Sequence, residues 1–253
     1  MASVLVTGAT GTLGRPTVTR LRANGHDVRA LSRRTGPGLI TGDLLTGAGI
    51  AAAITGVDAV VHLSTSPRQD VAATRTLLDA AREAAVPHLV VISIVGVDRI
   101  PLGYYRGKVE IERLTVESGI PHTILRATQF HSLVAGLFTA TRRLPVVIAP
   151  AVSMQPIAPD EVAQRLVELT ESGPSGRVPD IGGPRQRPVR ELAETWRAAV
   201  GSRRPIMPLR LAGKVFAALT AGHGMVPGPG YGRATFEDYL AERYRTTDRT
   251  SPS

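Results

Sequence analysis

Residues 4–16 read VLVTGATGTLGRP: a short apolar run, then Gly8, Gly11 and Gly14, then a segment of helical spacing with Pro16 near its start. A strand that turns sharply through glycines into a helix restricts the fold more than any bulk property of the chain. Glycines permit the tight turn, let the backbone approach an anion closely, and place a pyrophosphate at the positive end of the helix. The spacing G-x-x-G-x-x-G departs slightly from G-x-G-x-x-G, the usual dinucleotide fingerprint, yet its strand–turn–helix setting carries the same physics. A glycine-rich turn with no ligand is the bland alternative.

The chain keeps alternating after the loop. HDVRALS, GLITGDL, DAVVHLS, HLVVISI and PHTILRATQF read as strands, with GIAAAITG, RQDVAATRTLLDAAREAAVP and GYYRGKVEIE as helices among them. This rhythm implies an α/β fold, a Rossmann-type doubly wound parallel sheet covered on both faces by right-handed crossovers. Beyond about residue 150 the rhythm loosens. APDEVAQRLVELTESG and RPVRELAETWRAAVG are amphipathic helices, GRVPDIGG reads as an edge or final strand, HGMVPGPGYG as a loop, and TFEDYLAERY as a last helix. PLRLAGKVFAALTAG is too short for a bilayer but suits a pocket wall. The expected organisation is an NADP-binding domain over 1–150 and a small, mostly helical C-terminal lobe over 151–245. The lobe is expected to pack on the sheet domain as one structural unit and to bind substrate, with a disordered tail over 246–253.

Composition removes several function classes. No apolar run of the 253 residues approaches the roughly 20 needed for a membrane span, and the N-terminus lacks a signal-peptide pattern, so a cytoplasmic protein with no membrane partner is expected. With no cysteine there is no disulfide, thiolate nucleophile or cysteine metal site. The six histidines lack metal-ligand spacing, so no metal is expected. A formal net charge of +9 raises the question of nucleic acid, but the arginines are scattered and aromatic residues are only 4% of the chain. Specific nucleic-acid binding is not expected. No G-x-S-x-G elbow supports a hydrolase.

The end of the second strand discriminates between the two nicotinamide dinucleotides. An NAD site carries Asp or Glu there to accept from the ribose 2′-hydroxyl. This chain has Ser32, Arg33 and Arg34. Guanidinium groups bind a 2′-phosphate through charge-assisted hydrogen bonds, whereas a carboxylate would repel it. NADP(H) is therefore the expected cofactor, the alternative being a surface pair of arginines. Gly8, Thr10, Gly11, Thr12 and Leu13 are the loop candidates for the pyrophosphate. Asp43 and Leu44 follow the third strand and are placed to meet the adenine; Leu63, Ser64 and Thr65 follow the fourth and pass the middle of the cofactor.

At about 100° per residue, Tyr104, Lys108, Ile111 and Thr115 share a stripe of their helix, flanked by Tyr105, Val109 and Val116 on one side and Leu114 on the other. Lys108 thus points inward, where lysine is rare unless paired, and Glu112 one turn on is a candidate partner. A snorkelling lysine beside a core tyrosine is the alternative.

The glycine loop, SRR, VVISIVGVD, YYRGK and TILRATQFH together resemble an atypical short-chain dehydrogenase/reductase of the NmrA-like branch, over nearly the whole chain. The resemblance implies that Tyr104 and Lys108 match the superfamily's Tyr-x-x-x-Lys pair and that Ser93 matches its serine after the fifth strand. Lys108 would then hold the nicotinamide ribose, Tyr104 would protonate an oxygen as hydride arrives, and Ser93 would polarise that oxygen. Tyr105 is the rival for the tyrosine's role. The superfamily's frequent proline after the sixth strand is Ala127 here, leaving Thr128 and Phe130 to contact the nicotinamide amide. Tyr105, His131, Met154, Phe216 and Met225 are the pocket candidates, with plain core packing as the other reading. The implied function is an NADPH-dependent reductase of small hydrophobic or aromatic carbonyl, enone or quinone substrates, acting as a monomer or homodimer. The rivals are a non-catalytic NADP(H)-sensing regulator and a sugar-nucleotide epimerase.

Overall fold

The computed structural model describes residues 1–66 and 68–248. In chain order the elements are β1 (Ser3–Thr7), α1 (Gly14–Ala23), β2 (Asp27–Ser32), β3 (Leu39–Thr41), α2 (Ile50–Ile54), β4 (Ala59–His62), α3 (Asp70–Glu83) and β5 (Leu89–Ile94). There follow α4 (Gly103–Glu117), β6 (His122–Ala127), α5 (His131–Ala140), β7 (Val147–Pro150), β8 (Ser153–Met154) and α6 (Pro159–Ser172). The chain ends with β9 (Gly176–Arg177), β10 (Arg187–Pro188), α7 (Val189–Ala199), β11 (Ile206–Leu209), α8 (Lys214–Thr220) and α9 (Phe236–Asp248).

Seven strands form one sheet in the order β3-β2-β1-β4-β5-β6-β9. Strand β1 pairs in parallel with β2 and β4, β2 with β3, β4 with β5, and β6 with β9. The order reverses between β1 and β4, which makes the carboxyl ends of those two strands the topological switch point where doubly wound sheets bind ligands. The central strands are buried on both faces and read as continuous apolar runs for that reason: Val4, Leu5, Val6, Val60 and Val61 are fully buried. On one face Leu5, Leu31, Val60 and Leu89 pack with Ile50 and Ile54 of α2, Leu77 of α3 and Ile111 of α4. On the other, α1 and α6 pack together. Helix α3 stops ahead of Pro87 with Ala85 at φ 49, and the Val86 N–H closes back onto the Ala81 carbonyl, a left-handed helix stop made without glycine.

Two compact units divide the chain, and their boundaries interleave. One contains Met1–Asp98, Leu102–Arg126 and Pro159–Asp180; the other contains Arg99–Pro101, Ala127–Ala158 and everything from Ile181 onward. The expected division at 150/151 therefore does not match the division by contacts. The chain enters the second unit at Ala127 and returns with α6 and β9 to complete the sheet unit before leaving again. Besides α5, α7, α8 and α9, the second unit holds two two-stranded sheets absent from the sequence reading: β11 parallel to β7, and β10 antiparallel to β8. Its core is Val134, Phe138, Val147, Leu192, Trp196, Phe236 and Leu240. Helix α9 runs to Asp248, so residues 246–248 of the expected disordered tail have helical backbone, and 249–253 lie outside the described residues. Among the described residues no helix is long and apolar enough to cross a membrane.

Candidate active site

The glycine loop is shaped by two close approaches. Gly8 has φ +65, and a Cβ there would lie 2.8 Å from the backbone of Leu63, so the turn after β1 passes directly over the turn after β4. At Gly14 a Cβ would drive into the Gly8 carbonyl and lie 2.7 Å from Ala9 Cα, so α1 starts close against the loop only because no side chain intervenes. Helix α1 has no side-chain N-cap and no acidic residue in its first turn, which leaves its positive end for an anion. The cleft beside the loop encloses about 380 Å³ and is lined by Gly8, Thr10, Gly11, Ser32, Arg33, Arg34, Asp43, Leu44, Leu63, Ser64 and Thr65 among others. Eleven of the residues expected to hold a dinucleotide thus share one wall. Thr12 and Leu13 do not line it: Thr12 is exposed and Leu13 is buried at the N-cap of α1.

Arg15, Gln69 and Asp70 also line the cleft and escaped the sequence reading. Arg15 lies one residue past the last glycine, and its Nε donates to the Thr10 carbonyl at 3.0 Å, bracing the loop. At the far end, the Ser32 hydroxyl accepts the Arg34 backbone N–H at 3.0 Å and Asp43 Oδ1 accepts the Leu45 N–H at 2.9 Å. Arg33 and Arg34 are exposed, and among the described residues no carboxylate pairs with either.

Beneath the loop lies a buried histidine. Thr7 Oγ1 accepts the N–H groups of Leu63 and Ser64, both at 3.2 Å, so its own proton is directed to His62 Nδ1 at 2.8 Å. His62 Nε2–H then faces Thr74 Oγ1 at 3.1 Å, which donates to the Asp70 carbonyl at 2.8 Å. Burial foremost, then the nearby Lys108 ammonium, push the imidazole down to about 4, against the opposing pull of Asp70. A neutral His62 therefore ties the β1 and β4 turns to the start of α3.

Lys108 is buried on the inward stripe of α4 with Ile111 and Thr115, as the helical spacing predicts. Its partner is not Glu112. Lys108 Nζ lies 3.1 Å from Asp70 Oδ2, and both side chains are only 8% exposed. Glu112 instead takes Arg126 bidentately, at 2.8 and 2.6 Å, because the guanidinium on β6 presents a matching fork. Val109 and Val116, expected beside the stripe, are exposed. Asp70 Oδ2 also accepts from Thr65 Oγ1 at 3.0 Å, while Oδ1 takes the Ser66 N–H. Thr65 Oγ1 meets the Tyr104 hydroxyl at 2.8 Å, and Lys108 Nζ sits 5.7 Å from the Tyr104 ring centre. Tyr105 packs at 6.2 Å from the Tyr104 ring; burial and then Tyr104 push its phenol up. The Ser93 hydroxyl is sealed from solvent and has no hydrogen-bond partner among the described residues.

The remaining candidates belong to the second unit, where most serve its packing. Thr128 is buried, its hydroxyl donating to the Gln155 carbonyl at 2.5 Å and its N–H to Ile181. Phe130 caps α5 and bridges to Ile157. His131 is a core residue: fully buried, its Nε2 donates to the Pro156 carbonyl at 3.0 Å, and its ring meets Phe236 and Tyr239 edge-on. Met154 and Phe216 pack against the same core, and Met225 is half-buried in a turn closed onto Gly222. Among the described residues no group of three or more His, Cys, Asp or Glu side chains is placed to hold a metal ion.

Residues 8–172 match a family described as NAD(P)H-binding. A (4-alkanoyl-5-oxo-2,5-dihydrofuran-3-yl)methyl phosphate reductase of Streptomyces griseus subsp. griseus is 31% identical over 265 residues, spanning 98% of this chain and 89% of that protein. Among solved structures, an NADPH-dependent quinone oxidoreductase of Escherichia coli complexed with NADPH shares the fold with a TM-score of 0.79 at 19% identity, over 95% of this chain and 99% of that one. A nucleoside-diphosphate-sugar epimerase of Staphylococcus aureus shares it with a TM-score of 0.76 at 17% identity, over 94% and 99%. The glycine loop, the switch-point cleft and the extent of the family match agree with the NmrA-like resemblance read from the sequence: the chain belongs to the NAD(P)H-binding family.

Proposed function

We propose that this protein is an NADPH-dependent oxidoreductase that reduces a small hydrophobic or aromatic carbonyl, enone or quinone. The observation that carries the reading is one cleft with a glycine cradle and two exposed arginines on its wall, adjoining a buried Lys108 and a Tyr104 hydroxyl through Asp70 and Thr65. The cradle fits a pyrophosphate: its tight loop is held by backbone contacts that a Cβ at Gly8 or Gly14 would break, and the start of α1 beside it carries no side-chain cap. Arg33 and Arg34 fit a 2′-phosphate and favour NADP(H) over NAD(H). When bound, the cofactor would supply the hydride from its dihydronicotinamide ring.

The chain's own residues do the rest. Backbone N–H groups around Gly11 and the start of α1 hold the phosphates, Asp43 and Leu44 meet the adenine, and Leu63–Thr65 pass beside the middle of the cofactor. Lys108, with two ammonium protons beyond the one facing Asp70, holds the ribose hydroxyls. Tyr104 gives its phenolic proton to the substrate as negative charge develops there. Ser93, whose hydroxyl has no hydrogen-bond partner among the described residues, is the second donor. The name of the Streptomyces relative describes an alkene conjugated to a lactone and an alkanoyl carbonyl, which favours the enone class within this range. The second unit is then the part that supplies the substrate pocket, and catalysis in the cytoplasm by a monomer or homodimer completes the reading.

The test is NADPH oxidation by the purified protein against quinones, enones including acylbutenolides, and aromatic ketones, with NADH in parallel. Turnover with NADPH well above NADH supports the reading. Tight NADPH binding with no oxidation by any acceptor replaces it with a sensor. Retained NAD with no net consumption of cofactor replaces it with an epimerase.

A further inference from the structure

We infer that Asp70 is the positioning residue of this site, holding Lys108 and Tyr104 in register through a single carboxylate oxygen. The inference rests on the reductase reading and deepens it. Oδ2 of Asp70 takes the Lys108 ammonium at 3.1 Å and the Thr65 hydroxyl at 3.0 Å, while Oδ1 takes the Ser66 N–H, so Asp70 joins the first turn of α3, the β4–α3 turn and α4. Proton bookkeeping gives the network a direction. A carboxylate only accepts, so the proton of Thr65 is committed to Asp70; the 2.8 Å contact is then a donation from the Tyr104 phenol to Thr65, the same proton that the phenol turns toward the substrate in turnover. Both ends of the Tyr-x-x-x-Lys pair are thereby referred to one atom that is not on their helix.

This arrangement explains how a lysine so deeply buried keeps a fixed place. An ammonium removed from water needs a partner, and its hydrogen-bond geometry then dictates where the remaining protons point. It also explains why Asp70 has no counterpart one turn away on α4. Glu112 is fully engaged by Arg126, which leaves α3 to supply the carboxylate. Asp70 acts through the two residues it holds. It lines the cleft, yet the chemistry assigned to the site needs no carboxylate at the reacting atoms.

The experiment is a double-mutant cycle on steady-state kinetics, with 1,4-naphthoquinone as acceptor and NADPH affinity followed separately by fluorescence. Asp70→Asn should lower kcat about 100-fold, the cost of an ångström-scale misplacement. NADPH affinity should fall no further than it does in Lys108→Met, and in a Lys108→Met background Asp70→Asn should cost about tenfold rather than about 100-fold, the part carried through Thr65 to Tyr104, because residues acting as a unit are not additive. Thr65→Val should lower kcat about tenfold and Thr65→Ser should restore it, since only the hydroxyl matters. The exposed Thr65 pair also carries the test if Asp70→Asn fails to fold. A wild-type kcat in Asp70→Asn or Thr65→Val, or an equal loss from Asp70→Asn in both lysine backgrounds, overturns the positioning role. Wild-type rates in Lys108→Met and Tyr104→Phe, or no oxidation by the wild-type protein, overturn the reductase reading and the positioning role with it.

Discussion

His62 makes the fold under the switch-point cleft sensitive to acid. Its ring is neutral in the folded chain because burial and the Lys108 ammonium push it from 6.5 down to about 4. In the unfolded chain it titrates near 6.5, so between pH 6.5 and 4 the unfolded state binds a proton that the folded state refuses. The stability contribution is present in full above pH 6.5 and is lost progressively as pH falls toward 4. At 1.36 kcal/mol per unit, moving from pH 7.5 to 4.5 should cost about 2 to 3 kcal/mol from this residue alone. Urea unfolding of wild type and His62→Gln at both pH values isolates the effect, because every other titrating group is common to the two proteins. The variant will be less stable at pH 7.5, having lost the ring that joins Thr7 to Thr74, but its decline toward pH 4.5 should be smaller by that amount. An equal decline in both proteins would refute the assignment of a buried neutral His62, as would a ring signal absent from His62→Gln that titrates near pH 6.5 in the folded wild-type protein.

Three further outcomes follow from named contacts. Gly14→Ala places a methyl group against the Gly8 carbonyl and Ala9, so it should destabilise by about 1–3 kcal/mol, read by urea midpoint, and weaken NADPH binding by tenfold or more. Glu112→Ala strips the largely buried Arg126 of its bidentate partner and leaves only the 3.1 Å contact to Asp98, for a loss of about 3 kcal/mol with NADPH affinity unchanged. Replacing Arg33 and Arg34 together by alanine should weaken NADPH binding about 10- to 100-fold and leave NADH within twofold, as lost charge-assisted bonds of about 1.5–3 kcal/mol imply. Equal losses for both cofactors would remove the 2′-phosphate assignment.

Much of the sheet unit was legible because its signals are local. Apolar strands alternate with amphipathic helices of ordinary length, and the glycine loop lies where its chemistry demands. The inward aim of Lys108 followed from helical angle alone. Its partner did not. Asp70 is 38 positions away in sequence and reaches Lys108 only because α3 and α4 pack side by side, whereas the obvious neighbour Glu112 was claimed by Arg126 on β6. Periodicity also ran out at α5, where HSLVAGLFTA has no charged residue to mark a solvent face, and at β7, β8, β10 and β11, which are two to four residues long. The interleaved units were not legible because nothing local to Ala127 or Pro159 distinguishes a crossover from an excursion. His131 looked functional for its position after β6, but aromatic neighbours from α9, more than 100 residues on, bury it.

The most direct test of the central claim follows the hydride itself. NADPH carrying deuterium at C4 of the nicotinamide, in each stereochemical form, is turned over with the best enone or ketone acceptor from the panel, whose product keeps the transferred atom in a carbon–hydrogen bond that does not exchange with water, and the product is analysed by mass. The account predicts that one of the two labelled forms delivers its deuterium, raising the product by one mass unit per cofactor consumed, and that Lys108→Met suppresses the transfer. A product free of deuterium from both forms, or NADPH that remains reduced before every acceptor while bound in the cleft, would contradict it.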